Sequence, residues 1–149
     1  MVLIQNKDIF RNYEILEKFE SGLQLKGFEV KALFEGKGSL KGAYVTKRDN
    51  ELFLINFYIP PYQEKNVEKN YNPYRERKLL LHKKEINYLI QKLKQPGITI
   101  LPLRIYNKNR LIKVEIALVK GLKKYEKKEK IKEKEFKRKR ERVLKSWRI

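Results

Sequence analysis

Ile98-Thr-Ile-Leu-Pro-Leu-Arg-Ile-Tyr106 and Leu111-Ile-Lys-Val-Glu-Ile-Ala-Leu-Val119, joined by Asn107-Lys-Asn-Arg110, decide how the chain folds. In the second run Ile112, Val114, Ile116 and Leu118 face one way, while Lys113, Glu115 and Ala117 face the other. A period of two marks a strand with one buried face, and two such runs across a polar turn predict an antiparallel hairpin. Working backwards, Ala43 to Arg48 and Leu52 to Ile59 read as a second hairpin about Asp49-Asn50, closed by Pro60-Pro61. Tyr13 to Glu20 alternates too, with Tyr13, Ile15 and Phe19 on one face. Helical spacing predicts a helix capped by Ser21, carrying Leu23, Gly27, Val30 and Phe34 and stopped by Gly36 and Gly38. A second helix is predicted from Arg75 to Leu93, broken near His82-Lys83 and closed by Pro96-Gly97, while Gln63 to Pro73 has the composition of a loop. Short antiparallel strands with helices between them predict a mainly β, α+β protein. The expected form is a small closed barrel of the oligonucleotide-binding kind with about three flanking helices. A ferredoxin-like sandwich accommodates the strand count nearly as well.

Charge divides the chain. Residues 1–119 hold the recurrent apolar positions of one modest domain, and residues 120–149 form a basic C-terminal tail. That tail has fifteen Lys and Arg against five Glu, so it carries +10 of the formal +19. It also lacks proline, and its one glycine is Gly121. So cationic a helix former cannot fold alone. It is expected to be disordered when free and to gain helix on a polyanion, foremost a nucleic acid, with affinity that falls steeply with salt. Phe136, Val143 and Trp147 share one side of a helical wheel, and Trp147 is the expected anchor. With no cysteine there is neither a disulfide framework nor thiolate chemistry. The N-terminus lacks the apolar core of a signal peptide, and no run approaches a membrane span, so a soluble, cytoplasmic protein is expected.

Catalytic chemistry finds little footing. His82 is the only histidine, no G-x-S-x-G elbow accompanies any serine, and no glycine-rich phosphate loop occurs. No metal-ligand spacing and no cofactor motif is present. A Mg²⁺-dependent nuclease built on carboxylates remains a minor alternative. Two constellations suit binding instead. Glu29 lies in Gly27-Phe-Glu-Val-Lys-Ala32 at the rim of a predicted core, and by itself reads as a solvated acid paired with Lys26. Arg75, Arg77, Lys78, Lys83 and Lys84 flank the leucines of Asn72-Pro-Tyr-Arg-Glu-Arg-Lys-Leu-Leu-Leu-His-Lys-Lys-Glu-Ile86. Cations held on a packed element lose less entropy on meeting phosphate than cations on a tail.

Four blocks resemble, in order, those of the small protein B family, the SsrA-binding proteins of bacteria. They are Gly27 to Ala32, Arg75 to Ile86, Gly97-Ile-Thr-Ile-Leu-Pro-Leu103 and Lys113-Val-Glu-Ile-Ala-Leu-Val-Lys-Gly121. The resemblance implies a closed antiparallel barrel with flanking helices and no enzymatic activity. It further implies binding to the tRNA-like end of transfer-messenger RNA and delivery of that RNA to stalled ribosomes. There the basic tail would occupy the empty mRNA channel and decoding site, and the free protein is expected to be a monomer. On the resemblance Glu29 is the RNA-binding glutamate, Leu80 a leucine tied to that role, and His82 a hydrogen-bonding position. Asn6 and Lys7 lead into the first strand, and Tyr13 is its aromatic. With Lys26, Lys31, Arg75, Arg77, Lys78 and Lys83 these complete the expected RNA-binding set. In the tail Lys123, Lys124, Tyr125, Glu126, Lys127, Lys128 and Trp147 are expected on the ribosome, Tyr125 offering a ring to a base. Glu126 and Lys128 stand where the family has Asp and Arg, and Leu122 replaces the first lysine of a Gly-Lys-Lys. Lysine lacks the planar fork of arginine. Replacing Glu29 and His82 together is expected to weaken RNA binding with little loss of stability. A structural ribosomal protein or general RNA chaperone is the rival reading.

Overall fold

The computed structural model describes residues 1–61 and 70–122. The elements are β1 (Val2–Gln5), α1 (Ile9–Asn12), β2 (Tyr13–Leu23), α2 (Gly27–Phe34), β3 (Tyr44–Arg48), β4 (Glu51–Ile55), β5 (Arg77–Leu80), α3 (Lys83–Leu93), β6 (Ile98–Lys108) and β7 (Leu111–Gly121). Both predicted hairpins form, and tightly. Asp49 and Asn50, then Asn109 and Arg110, have positive φ in the left-handed region, the backbone that two-residue hairpin turns require. The turn at 107–110 is thereby shortened, and β6 and β7 pair as far as Lys108 and Leu111. β7 runs two residues beyond the expected end of the folded body: Glu14 pairs with Lys120 and Tyr13 with Gly121, and the Leu122 N–H donates to the Asn12 carbonyl.

The strands close in the order β6-β3-β4-β5-β2-β7 and back to β6, all antiparallel. β1 pairs with β6 at Arg104 to Tyr106, whereas β3 meets β6 at Ile100. With two partners sharing one edge of β6, and register shifts in β1, β2 and β6, the sheet is a ring rather than a regular barrel. Closure excludes the open ferredoxin-like sandwich. Inside lie Val45, Leu54, Phe57, Leu79, Ile100 and the expected face of β7, packed against Leu33 of α2 and Leu89 of α3. The opposite face of β7 is not left to water at its C-terminal end. Ala117 and Val119 join Leu101, Leu103 and Ile9 of α1 in a second apolar cluster.

Two helix boundaries differ from the sequence expectation. Ser21 is not an N-cap: it lies buried in β2, its hydroxyl donating to the Gly22 carbonyl, and α2 starts after Lys26. The stretch Arg77-Lys-Leu-Leu80 is a strand, so only the part after the predicted break at His82-Lys83 is helical. Its burial alternates, with Arg77 and Leu79 inside, and its partners are β4 and β2, which would otherwise leave the ring open. The second hairpin's outer strand also ends early. Asn56 takes a positive φ, and Phe57 and Ile59 stay buried without ladder pairing. β1 and α1 had no counterpart in the periodicity.

Candidate nucleic-acid interface

At the start of α2 the Lys26 N–H donates to Glu29 Oε1 at 2.8 Å, the reciprocal bond by which a third-position glutamate closes a helix N-terminus. This bond and the helical turn aim the Glu29 carboxylate inward. There Arg75 grips it through Nη2 to Oε1 at 2.5 Å and Nε to Oε2 at 3.2 Å. Arg77 adds Nε and Nη2 to Oε2 at 2.8 and 2.5 Å, and Tyr71 donates to the same oxygen at 2.8 Å. The remaining Arg77 donors reach the carbonyls of Phe57, Arg75 and Pro73. Glu29 and Arg77 are both fully buried, and the Arg77 guanidinium lies 5.4 Å from the centre of the Phe57 ring.

Burial alone would raise the Glu29 pKa, but the Arg75 and Lys26 hydrogen bonds and the Arg77 charge outweigh it, and the carboxyl sits below its ordinary range. Tyr71 responds the other way. Burial, and then its bond to ionised Glu29, push its phenol up to about 12. Glu29 itself presents no surface to solvent. It fixes Arg75, which keeps 24% of its side chain exposed, and it ties α2 to the strand that follows.

From this hub β5 leads outward to a groove of about 1040 Å³ between β2, β5 and the start of α3. Leu80 lies along it, 53% exposed, beside Lys78, His82, Lys83 and Lys113. Gly22 on β2 pairs with Leu80 and allows the approach: a Cβ there would stand 3.3 Å from the Leu80 Cβ. The acids of the groove are already engaged. Glu51 pairs with Lys78 at 3.7 Å, and Glu85 accepts the His82 N–H at 3.3 Å. Glu20 binds the Tyr106 hydroxyl and Lys108, in that order of effect, and its carboxyl is held below the ordinary value. Lys113 faces Glu20 and adds to the pull on its carboxyl, while Lys83 forms no ion pair among the described residues, so the groove offers cations, a helix N-terminus and an apolar edge together.

Of the expected set, Glu29, Arg75 and Arg77 assemble in the hub, and Lys78, Leu80, His82 and Lys83 in the adjoining groove. Lys26 sits half-buried at the head of α2, and Lys31 is exposed on that helix. The structure does not bring Asn6, Lys7 and Tyr13 there. Asn6 Nδ2 donates to the carbonyls of Leu40 at 3.3 Å and Pro102 at 3.2 Å, and its N–H to that of Leu103 at 2.8 Å. It thus latches β1 to the bulge in β6. Lys7 is exposed next to it, and Asn6 and Tyr13 line a separate pocket of about 320 Å³ beside α1. Lys123, Lys124, Tyr125, Glu126, Lys127, Lys128 and Trp147 lie outside the described residues. Sequence reasoning missed Tyr71, Gly22 and Lys113. Lys113 alone had a signal, since it occupies the outward face of the alternating strand. The expectation that Glu29 is dispensable for stability is reversed by its burial between two arginines.

Among the described residues no group of His, Cys, Asp or Glu could hold a metal ion, and no helix is long and apolar enough to cross a membrane. Residues 3–146 match the family described as SmpB protein. The SsrA-binding protein of Sulfurihydrogenibium sp. (strain YO3AOP1) is 51% identical over 144 residues, covering 97% of this chain and 94% of that one. The SsrA-binding protein of Pseudothermotoga lettingae is 52% identical over 139 residues, covering 93% of each. A solved chain described as "tmRNA-SmpB: a journey to the center of the bacterial ribosome" is 41% identical. It superposes with a TM-score of 0.67, covering 86% of this chain and 93% of that chain. The matches run nearly end to end and agree with the strand ring. The chain belongs to the SmpB family.

Proposed function

We propose that the protein is a recognition protein, not an enzyme, that binds the tRNA-like part of transfer-messenger RNA along the groove and carries it to stalled ribosomes. The observation that carries this is the groove itself, where Lys78, Lys83 and Lys113 gather beside exposed Leu80 and where Lys83 has no ion pair among the described residues. Such a surface reads backbone shape, phosphates and 2′-hydroxyls rather than base sequence. Lys78, Leu80, His82, Lys83, Lys113 and the exposed part of Arg75 touch the RNA, while Glu29 and Arg77 position them. The relatives' description as SsrA-binding proteins and the tmRNA-SmpB description of the solved chain support the same partners. The protein acts in the cytoplasm as a monomer when free, with no cofactor. Its tail occupies the vacant mRNA channel and decoding site of the small subunit, Tyr125 and Trp147 serving as contacts.

A gel-shift series with the tRNA-like arm against ordinary tRNA tests this. The arm should bind far more tightly, and a protein with both His82→Ala and Lys83→Ala should bind it more weakly at unchanged melting temperature. Equal affinity for the arm, bulk tRNA and ribosomal RNA would instead mark a general RNA chaperone.

A further inference from the structure

We propose that Tyr74, backed by Tyr58, is a stacking platform for one unpaired nucleobase of the RNA held at the hub. The inference rests on the RNA-binding reading above but uses residues outside the groove. Tyr74 is 53% exposed, a large apolar surface to leave in water. Its ring leans on Tyr58 with centroids 5.1 Å apart and planes at 44°, so it is supported from one side. Tyr88 and Tyr106, also on the surface, have their hydroxyls taken by Glu17 and Glu20. The Tyr74 hydroxyl has no partner among the described residues, so neither burial nor hydrogen bonding explains its position.

The backbone beneath the ring is fixed by the hub. Tyr74 N–H donates to Asn72 Oδ1 at 2.9 Å and Arg75 N–H to the Asn72 carbonyl at 3.0 Å. The Pro73 carbonyl accepts from the Ile59 N–H at 3.0 Å and from Arg77 at 3.1 Å. Tyr58 exchanges both backbone hydrogen bonds with Ser39 at 3.0 Å. A ring so held loses little further freedom on meeting a base. The next residue supplies the matching charge. Arg75 is partly exposed, and two guanidiniums against one carboxylate leave the hub one positive charge in excess. A base on Tyr74 with its phosphate toward Arg75 suits a single-stranded or looped nucleotide, since every base offers a π-face to an aromatic ring.

The test uses the full chain and the tRNA-like arm, with 2-aminopurine placed at one unpaired position at a time. One position should be quenched on binding. Tyr74→Ala should abolish that quenching and weaken binding about 5- to 150-fold. Tyr74→Phe and Tyr74→Trp should keep both. If Tyr74→Ala binds like the parent while the His82→Ala, Lys83→Ala protein binds weakly, the platform is overturned and the groove stands. Loss of binding in Tyr74→Phe also overturns it, because the hydroxyl and not the ring would then be in use. A parent chain that fails to bind the arm removes both readings.

Discussion

Glu29 and His82 entered as a pair of RNA-binding residues, and their surroundings separate them. His82 is exposed at the head of α3, where its backbone N–H is used and its ring is open to solvent. Its replacement by Ala should leave the melting temperature unchanged and cost only RNA affinity, as paired melting and gel-shift measurements would show. Glu29→Ala strands two arginines, one of them fully buried, and should cost about 3–5 kcal/mol in urea unfolding. The same carboxylate makes stability depend on acid. Its folded pKa lies below the ordinary carboxyl range, so its contribution is complete above that range and is lost as pH falls through the lower folded value. Unfolding free energies followed downward from neutral pH should decline less in Glu29→Gln than in the parent. Tyr71 gives the opposite limb. Its contribution is complete below the ordinary tyrosine range and is lost as pH rises through about 12.

At the scale of elements, the pairing of β2 with β5 is the narrow point, and Gly22 sets its width. Gly22→Ala places a Cβ at 3.3 Å from that of Leu80, so Leu80 or its strand must give by a few tenths of an ångström. Overpacking of this kind costs about 1–3 kcal/mol. Weaker binding of the arm should accompany the lower melting temperature, whereas binding per folded molecule equal to the parent's would show that the position of Leu80 is unimportant. Asn6 acts on a different element. Asn6→Ala leaves the Leu40 and Pro102 carbonyls without its donor, and amide hydrogen exchange in β1 should accelerate. Affinity for the arm should stay near the parent's, and a large loss without faster exchange would place Asn6 in direct contact with RNA.

For the whole molecule, the proposed division between the strand ring and the basic C-terminal segment predicts separable activities. A chain ending at Leu122 keeps every pair of β7 and should bind the arm and melt like the parent, but fail to support tagging on stalled ribosomes. Normal tagging by that chain would remove the role proposed for the tail. The two hairpins, the strand at Tyr13, the later helix and the charge asymmetry were all legible, because periodicity and turn chemistry are local. Resemblance singled out Glu29, which patterning alone read as a solvated acid. Neither showed its burial. The inward face of β7, the turns at Asp49-Asn50 and Asn109-Arg110 and the absence of thiol chemistry follow from the residues in order along the chain. Tertiary structure alone decided that Arg77-Lys-Leu-Leu80 is a strand, that Arg77 is buried, and that Asn6 and Tyr13 stand apart from the groove. A four-residue strand gains its hydrogen bonds only from β4 and β2, and a buried arginine is tolerable only when a carboxylate 48 positions away meets it.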